Sequence, residues 1–166
     1  MAASYKKVLE KMRSLYMEND RPWVIGFSGG KDSTAVLQLV FLLFRKMPYE
    51  QRRKMVHVVA NDTLVEIPQV ASMVAESVTR INEAATRLKF PITAIQTTPD
   101  PEDTFFVNLI GRGYPSPTSR FRWCTERMKI NPTSDYIRRL VTERGEVIVF
   151  LVLNENLVKC AFYAAF

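Results

Sequence analysis

The spacing of apolar side chains along the chain predicts helices that alternate with short, buried strands. Apolar residues recur at helical spacing over residues 4–17, which predicts a leading amphipathic helix that ends before Pro22. Short apolar runs predict strands at residues 23–27, 55–60, 91–97 and 147–153. Longer stretches predict helices at residues 34–46, 68–89 and 131–144. The proline-rich segment 99–118 is expected to be a loop.

This alternation predicts an α/β fold in which a parallel β-sheet is flanked by helices, as in Rossmann-like proteins. Ligands of such folds bind beyond the carboxyl ends of the strands. The strands that end near Phe27, Asn61 and Thr97 are therefore expected to line one crevice.

Length, composition and charge narrow the class of protein. The chain has 166 residues, enough for one domain with a hydrophobic core, and its two cysteines cannot form a disulfide framework. Because its apolar runs are too short or too interrupted to span a bilayer, and its start lacks a secretion signal, we expect a cytoplasmic protein without a membrane segment. The net charge is +6, and residues 112–144 carry an excess of +5. Such an excess attracts the phosphates of a nucleotide or a nucleic acid, although residues 138–144 are more simply the solvated face of a helix.

Residues 28–34 join the first predicted strand to the next helix and have the composition of an anion-binding turn. Gly29 and Gly30 let the backbone approach an anion, and the amides at the helix N-terminus can donate to it. Lys31 adds a positive charge, whereas Asp32 could orient Lys31 or help to hold a magnesium ion. Further hydroxyl donors are Ser28, Ser33 and Thr34. The alternative is an ordinary glycine turn with a helix cap, which the complete run between strand and helix disfavours.

The spacing of the glycines argues against the phosphate-binding loop of kinases and GTPases. That loop has four residues between its glycines and a serine or threonine after its lysine. Here Gly26 and Gly30 enclose three residues, and Asp32 follows Lys31. An enzyme that transfers the γ-phosphate is therefore disfavoured.

Residues 61–66 follow the second predicted strand and should face the same crevice. Asn61 and Asp62 could contact the ribose or the adenine of a nucleotide, and Asp62 could also bind magnesium. A turn that caps the next helix explains the same residue types equally well. The single histidine, His57, lies within the second strand and is given no ligand role.

Residues 116–129 place arginines, aromatic residues and a cysteine in one short segment. Arginine side chains such as Arg120 and Arg122 suit the oxygens of phosphate or sulfate groups. Cys124 lies between Arg122 and Arg127, and a cationic setting favours the thiolate, which is the nucleophilic and metal-binding form. We therefore favour a functional role for Cys124 over that of an inert core residue.

The turn at residues 28–34 resembles the signature loop of the PP-loop ATP pyrophosphatases. This superfamily has an adenine nucleotide α-hydrolase-like fold and splits ATP between its α and β phosphates. Taken with the segments 61–66 and 122–129, the turn resembles the DndC family of DNA phosphorothioation sulfurtransferases. That family is related to the adenylyl-sulfate and phosphoadenylyl-sulfate reductases, and the resemblance covers roughly residues 20–150.

The resemblance implies an enzyme that activates a DNA backbone phosphate with ATP, so that sulfur can replace an oxygen. It implies Lys31, Asp32 and Cys124 as catalytic residues, and a turn that holds the departing pyrophosphate. The implied cofactors are ATP and Mg²⁺, and the implied partners are DNA, a cysteine desulfurase and other phosphorothioation proteins, with a homo-oligomer left open. The family carries an iron–sulfur cluster on cysteines. Cys124 matches the first of these ligands, whereas Cys160 matches none.

The C-terminal part of the sequence departs from this family. Beyond residues 147–149 the family continues with a turn that carries glycine and arginine, whereas residues 150–166 read differently. We therefore expect a truncated or frame-altered chain, divided into a leading helix, a PP-loop domain and an atypical tail at residues 1–22, 23–153 and 154–166. Alternative functions are an adenylyl-sulfate reductase, a nucleotide- or DNA-binding subunit without turnover, and an assembly subunit that packs against a partner.

Overall fold

The computed structural model describes residues 2–152 and 158–164. Its helices are α1 (Ala2–Met17), α2 (Lys31–Lys46), α3 (Pro68–Leu88), the single turn α4 (Trp123–Thr125) and α5 (Asn131–Arg144). Its strands are β1 (Trp23–Phe27), β2 (Val56–Asn61), β3 (Ile92–Thr97), β4 (Glu146–Val152) and β5 (Val158–Ala164). None of the helices in this described part has the length and apolar character that a membrane span requires. Residues 154–157 and 165–166 of the predicted tail lie outside the described residues, as does residue 153 before it.

The strands form one sheet in the order β3–β2–β1–β4–β5. β1 pairs in parallel with both β2 and β4, and β2 pairs in parallel with β3. This arrangement confirms the predicted α/β fold with a parallel sheet. β5 is an addition that the sequence pattern did not reveal. It lies in the segment expected to be an atypical tail and pairs antiparallel with β4, with Cys160 opposite Phe150.

Helices cover both faces of the sheet because the side chains of each strand alternate between two sides. Trp23 and Ile25 of β1 pack in the core formed with α1, α2 and α3, whereas Val24 packs in the core formed with α5. All three side chains are at most 1% exposed. Burying an aliphatic side chain of this size contributes roughly 1.5–3 kcal/mol, so β1 is held from both sides.

The sheet brings the carboxyl ends of β1, β2 and β3 to one edge, as the sequence predicted. The register pairs Phe27 with Ala60, and Asn61 with Thr97. β1 lies between β2 and β4, and the chain crosses from β3 back to β4 through α5, on the face opposite α2 and α3. The carboxyl end of β1 is therefore a topological switch point, where open α/β sheets bind ligands.

Lys54 joins the end of α1 to the start of β2. Its ammonium group donates to the carbonyl oxygens of Leu15 and Asn19 at 3.4 and 3.0 Å, and to Asn19 Oδ1 at 3.3 Å. Its backbone nitrogen donates to the Tyr16 hydroxyl, which in turn donates to the Lys54 carbonyl. Lys54 is 4% exposed, and this burial lowers the pKa of its ammonium group to about 8. Burial likewise raises the pKa of Tyr16 to about 12.

Two local features differ from the sequence-based expectation. α2 begins at Lys31 rather than at residue 34, so the connection between β1 and α2 is shorter than expected. The segment 99–118 is not all loop, because it holds a 3-10 turn at Pro101–Asp103 and a π-helical turn at Val107–Gly111. Such single turns are too short to show a hydrophobic period, which is why the sequence pattern missed them.

Burial of Lys54 should make the stability of the protein depend on pH. The folded-state pKa of about 8 lies below the ordinary value of 10.5, so between these values the unfolded chain binds more protons and stability rises with pH. Well below pH 8 the Lys54 ammonium group is protonated in both the folded and the unfolded state, so burying its charge lowers the free energy of unfolding by the full desolvation cost. From about pH 7.5 to about pH 9.5 this group should add about 2 kcal/mol to the free energy of unfolding. Lys54→Met should lack that increase.

Urea unfolding of the wild-type protein and of Lys54→Met at both pH values measures the difference. Both measurements are made below about pH 10 because Tyr16 ionises more easily in the unfolded chain than in the folded protein. Above that pH the ionisation of Tyr16 lowers the free energy of unfolding, which opposes the effect of Lys54. An equal pH dependence in the two proteins would contradict the role of the buried ammonium group.

Candidate functional site

The turn between β1 and α2 occupies the switch point of the sheet. Its backbone depends on Gly29, whose φ of +73° lies in the left-handed region that residues with a Cβ rarely adopt. Gly30 precedes α2 with an extended backbone of φ −79° and ψ 170°. A Cβ on Gly29 would lie 3.5 Å from Met73 and from Val74, which is ordinary contact, so the requirement for glycine comes from the backbone angle.

Ser33 holds this turn together from inside. Its hydroxyl donates to the Gly30 carbonyl at 3.1 Å and accepts from the Ser28 backbone nitrogen at 3.3 Å. The hydroxyl oxygens of Ser28 and Ser33 lie 3.2 Å apart, and Ser33 is only 3% exposed. The sequence predicted Ser33 as a donor to phosphate, but these bonds use its hydroxyl within the turn. Ser28 is exposed and Thr34 is half-buried, so Ser28 is the more accessible donor.

The start of α2 presents backbone amides and charge at the mouth of the turn. Thr34 N donates to the Gly30 carbonyl at 3.0 Å as the first backbone hydrogen bond of the helix, so the amides of residues 31–33 precede it. α2 has 16 residues, long enough for its N-terminus to carry a positive partial charge. Lys31 is exposed and Asp32 is half-buried in the same first turn. Together these groups form a site that can receive an anion.

Asn61 links the ends of β2 and β3 to α5. Its side-chain nitrogen donates at 2.8 Å to the hydroxyls of Thr97 and Thr133, and it lies 3.3 Å from the Lys129 carbonyl. An amide nitrogen has two protons, so these acceptors use both of them. The contact with ribose or adenine that the sequence predicted for Asn61 is therefore left to its side-chain oxygen.

Asp62 closes a strained turn directly after β2. Its Oδ1 accepts from the Leu64 backbone nitrogen at 2.9 Å, and its own backbone nitrogen donates to the Thr97 carbonyl at 2.8 Å. Leu64 has a φ of +61°, which is unfavourable for a side chain of its size, and Thr63 is buried. One oxygen of Asp62 is thus committed to the turn, and a nucleotide or a magnesium ion would have to use the other.

Asp103 is a central residue of this region that the sequence analysis missed. Its Oδ1 accepts from Arg112 at 2.8 Å and from Arg127 at 2.6 Å. Arg127 also donates to the Tyr114 hydroxyl at 3.1 Å. The sequence does contain a signal for this pairing. Asp103 is an acidic residue shortly after the third strand, and the strongly basic segment 112–144 follows it.

Trp123 anchors the segment that carries Cys124. Its indole nitrogen donates to the Pro115 carbonyl at 2.9 Å, and its ring stacks on Phe105 with centroids 5.4 Å apart. Trp123 is 5% exposed, which fixes α4 against the loop before it. Cys124, the next residue, is a free and half-buried thiol. α4 continues into a π-helical turn at Glu126–Ile130, a geometry that often occurs at functional sites.

The cations around Cys124 are not all available to it. Arg127 is paired with Asp103, so part of the positive setting that the sequence predicted is neutralised. Arg120 and Arg122 are exposed, and within the described residues neither guanidinium group makes a hydrogen bond or an ion pair. These two arginines are therefore the residues of this segment best able to bind a phosphate or sulfate group.

A cavity of about 910 Å³ opens beyond the carboxyl end of β3. Thr97, Asp103, Arg127 and Tyr136 are among its lining residues. Of the three strand ends predicted to line one crevice, only that of β3 borders this cavity, and no residue of the turn 28–34 or of the segment 61–66 lines it. The Tyr136 hydroxyl lies 2.8 Å from His57 Nδ1 on β2, and burial lowers the pKa of His57. The histidine is thus held in a contact with a tyrosine of α5.

Metal-ligating side chains are sparse in the part of the chain that the structure describes. No group of three or more histidine, cysteine, aspartate or glutamate side chains lies together there. Magnesium commonly uses one or two carboxylates together with substrate phosphates, so Asp32 and Asp62 remain predicted ligands. An iron–sulfur cluster does not fit, because a four-iron cluster usually needs four thiolates and the chain has two cysteines.

The backbone angle of Gly29 predicts different responses to alanine at the two neighbouring glycines. Gly29→Ala should lower the free energy of unfolding by roughly 1–2 kcal/mol, because alanine at positive φ is strained. Gly30→Ala should change it by less than about 1 kcal/mol, because its backbone is extended and the new Cβ would lie 3.4 Å from the Ser28 hydroxyl. Urea unfolding of both variants measures the difference. An equal loss in both would be inconsistent with the assigned turn.

Comparison with known proteins does not assign a family. No protein-family model matches the chain. A search of curated proteins likewise found no match. The functional conclusion therefore depends on the residues of the three segments and on the geometry that the fold gives them.

Proposed function

We propose that this chain is the ATP pyrophosphatase domain of a cytoplasmic sulfurtransferase that replaces a DNA backbone oxygen with sulfur. The observation that carries the proposal is the turn at residues 28–34, with its left-handed Gly29 and the start of α2 at the switch point of the sheet. The resemblance of this turn to the PP-loop, together with the segments 61–66 and 122–129, supports the particular reaction.

In the proposed reaction the turn holds the two phosphates that leave from ATP. The amides of residues 31–33 and the dipole of α2 would contact the pyrophosphate, and Lys31 would neutralise its charge. A DNA phosphate oxygen attacks the α-phosphorus, the bond from the α-phosphorus to the bridging oxygen breaks, and pyrophosphate leaves. The protein contributes mainly by positioning and charge neutralisation. Asp32 and Asp62 would hold the magnesium ion that accompanies the phosphates.

The second half of the proposed reaction involves the segment around Cys124. A cysteine desulfurase passes a sulfur atom to the Cys124 thiol as a persulfide. The terminal sulfur of this persulfide forms a bond to the activated DNA phosphorus, and AMP leaves with the oxygen that is replaced. A second thiol, from a thiol reductant, then cleaves the sulfur–sulfur bond, so that the sulfur stays on the DNA and Cys124 ends in a disulfide with the reductant. Arg120 and Arg122 are exposed, and their guanidinium groups make no hydrogen bond or ion pair among the described residues, so they would bind DNA phosphates. Cys124, half-buried next to Trp123, is the thiol proposed for sulfur transfer.

The proposed reaction does not include the iron–sulfur cluster of the resembling family. The two cysteines of this chain cannot supply four thiolates. We therefore assign Cys124 to sulfur transfer. A four-iron cluster on Cys124 would need further thiolates from another chain.

Lys31→Ala should abolish most of the pyrophosphate release if the turn is catalytic. Loss of one preorganised positive group at the leaving pyrophosphate is expected to slow turnover by about 10²–10³-fold. The rate is measured as pyrophosphate release from ATP with Mg²⁺, with and without DNA. Lys7→Ala, which removes an exposed lysine of α1, is the matched control and should keep the wild-type rate. Equal rates in the two variants would rule out the catalytic role of the turn.

Cys124→Ser should separate ATP binding from sulfur transfer. The hydroxyl nearly keeps the size of the side chain, so ATP affinity measured by calorimetry should stay within about twofold. Sulfur incorporation into DNA, measured by mass spectrometry of the released nucleotides, should fall to background. Thr125→Ser, a change at the next residue, is the control and should retain both activities. If Cys124→Ser left sulfur incorporation unchanged, the thiol would have no part in the transfer.

Two other functions give different results in the same assays. An adenylyl-sulfate or phosphoadenylyl-sulfate reductase would release sulfite in a thiol-dependent reaction. A nucleotide- or DNA-binding subunit would bind ATP tightly but release no pyrophosphate when magnesium and DNA are present. Pyrophosphate release that depends on DNA favours the sulfurtransferase over both.

A further inference from the structure

A second charged pocket, the amino-end pocket, lies at the end of the sheet opposite the glycine-rich turn. It has a volume of about 490 Å³ and opens between the α1–β1 connection, the start of β2 and the turn from α5 into β4. Its charged lining residues are Asp20, Arg21, Arg53, Lys54, Arg144 and Glu146. The reaction proposed for the other end of the sheet makes no use of this pocket.

The amino-end pocket carries an excess of positive charge. Four basic and two acidic side chains line it, which gives a formal charge of +2. Arg21 and Glu146 form an ion pair and neutralise each other. The excess therefore comes from Arg53, Lys54 and Arg144, which face a single further carboxylate among the lining residues.

Lys54 forms the buried wall of the pocket. It is 4% exposed, and its ammonium protons are matched by the acceptors on Leu15 and Asn19. Its nitrogen also lies 4.8 Å from the ring centroid of Tyr16 and 5.2 Å from that of Trp23. Because these contacts hold the ammonium group in place, Lys54 supplies a fixed positive field rather than a direct contact or a nucleophile.

Arg53 and Arg144 both line the pocket, and both are exposed. Arg53 uses its Nε for a 3.4 Å bond to the Glu50 carbonyl, so its terminal nitrogens can serve a ligand. Arg144 is the last residue of α5, and Gly145 follows with a φ of +86°, which turns the chain into β4. Two guanidinium groups therefore border one cavity that already contains a buried cation.

We propose that the amino-end pocket binds a phosphate group, with Arg53 and Arg144 as the direct ligands and Lys54 as the buried counter-charge. A phosphate monoester carries a charge of about −1.5 to −2, which matches the positive excess of the pocket. A guanidinium group can donate two parallel hydrogen bonds to two oxygens of one phosphate. A carboxylate ligand would bring only one negative charge, which matches the charge of the pocket less well. A bound phosphate also offsets the repulsion among the three cations.

The phosphate can belong to a small phosphorylated molecule or to the 5′ end of a nucleic acid. Both present the same doubly charged group, whereas a phosphodiester of the DNA backbone carries one charge and matches the pocket less well. We therefore expect monoesters to bind more tightly than diesters. This inference is independent of the proposed reaction, because it concerns the opposite end of the sheet.

Calorimetric titration with inorganic phosphate at constant ionic strength tests the proposal. In the double variant Arg53→Ala/Arg144→Ala the affinity should fall by about tenfold or more. Arg45→Ala/Arg87→Ala removes two exposed arginines outside the pocket, and its affinity should stay within about twofold of wild type. Equal affinity in the two double variants, or no saturable binding to the wild-type protein, would overturn the proposal.

Two further variants separate the pocket from other causes. Lys31→Ala weakens only the anion site proposed at the glycine-rich turn, so saturable phosphate binding should persist in this variant. Binding that is lost in Lys31→Ala but kept in Arg53→Ala/Arg144→Ala would place the phosphate at the glycine-rich turn and refute the amino-end site. Arg53→Lys/Arg144→Lys keeps both charges without the guanidinium geometry, so its affinity should lie between those of the wild type and the alanine pair. If circular dichroism shows that Arg53→Ala/Arg144→Ala is unfolded, the lysine variant replaces it in the test. A phosphate affinity equal to that of the wild type in the lysine variant would then contradict the role of the two guanidinium groups.

Oligonucleotides identify the source of the phosphate. An oligonucleotide with a 5′-phosphate should displace inorganic phosphate about tenfold better than the same oligonucleotide without it. Equal displacement by both would contradict the preference for a monoester and assign the pocket to the DNA backbone. If neither displaces phosphate while the arginine pair remains necessary, the ligand is a small phosphorylated molecule.

Discussion

The burial of β1 on both faces is the constraint on which the rest of the structure depends. Trp23, Val24 and Ile25 are at most 1% exposed, so the strand cannot leave the sheet early without exposing apolar surface to water. Because β1 and β2 are parallel neighbours, the chain must cross back over the sheet between them, and a tight turn at residues 28–30 leads from β1 into the crossover helix α2. Gly29 makes that turn at positive φ, and Ser33 closes it. The packing of one strand thus fixes where the amides of α2 lie.

Polar contacts at the carboxyl edge bring distant segments of the chain together. Asn61 joins β2 and β3 to α5, and Asp103 holds Arg127 beside the cavity at β3. Trp123 then fixes the segment that carries Cys124. A neutral hydrogen bond contributes roughly 0.5–1.5 kcal/mol, and a partly exposed ion pair about 0–1 kcal/mol, so these contacts position the loops more than they stabilise the fold.

The regular helices and strands could be predicted from the sequence because apolar residues recur within each of them at the spacing that is typical of that element. β1 and α5 have the predicted bounds, Trp23–Phe27 and Asn131–Arg144. The edge strand β5 could not be predicted, because nothing local in its apolar run says which strand it pairs with. The roles of Asn61 and Asp103 were also hidden, since the partner Thr133 lies 72 residues from Asn61 and Arg127 lies 24 residues from Asp103. Such contacts depend on the finished sheet rather than on neighbouring residues.

The most direct test of the central claim is an NMR titration of the ¹⁵N-labelled protein with magnesium pyrophosphate. If the turn between β1 and α2 holds the departing phosphates of ATP, the backbone amide signals of residues 29–34 should shift together and saturate with one dissociation constant. Signals of Arg45 and Arg87, which lie outside both proposed phosphate sites, serve as the internal comparison and should not shift. Shifts confined to Arg53 and Arg144 of the amino-end pocket, with the signals of residues 29–34 unmoved, would contradict the assignment of the turn.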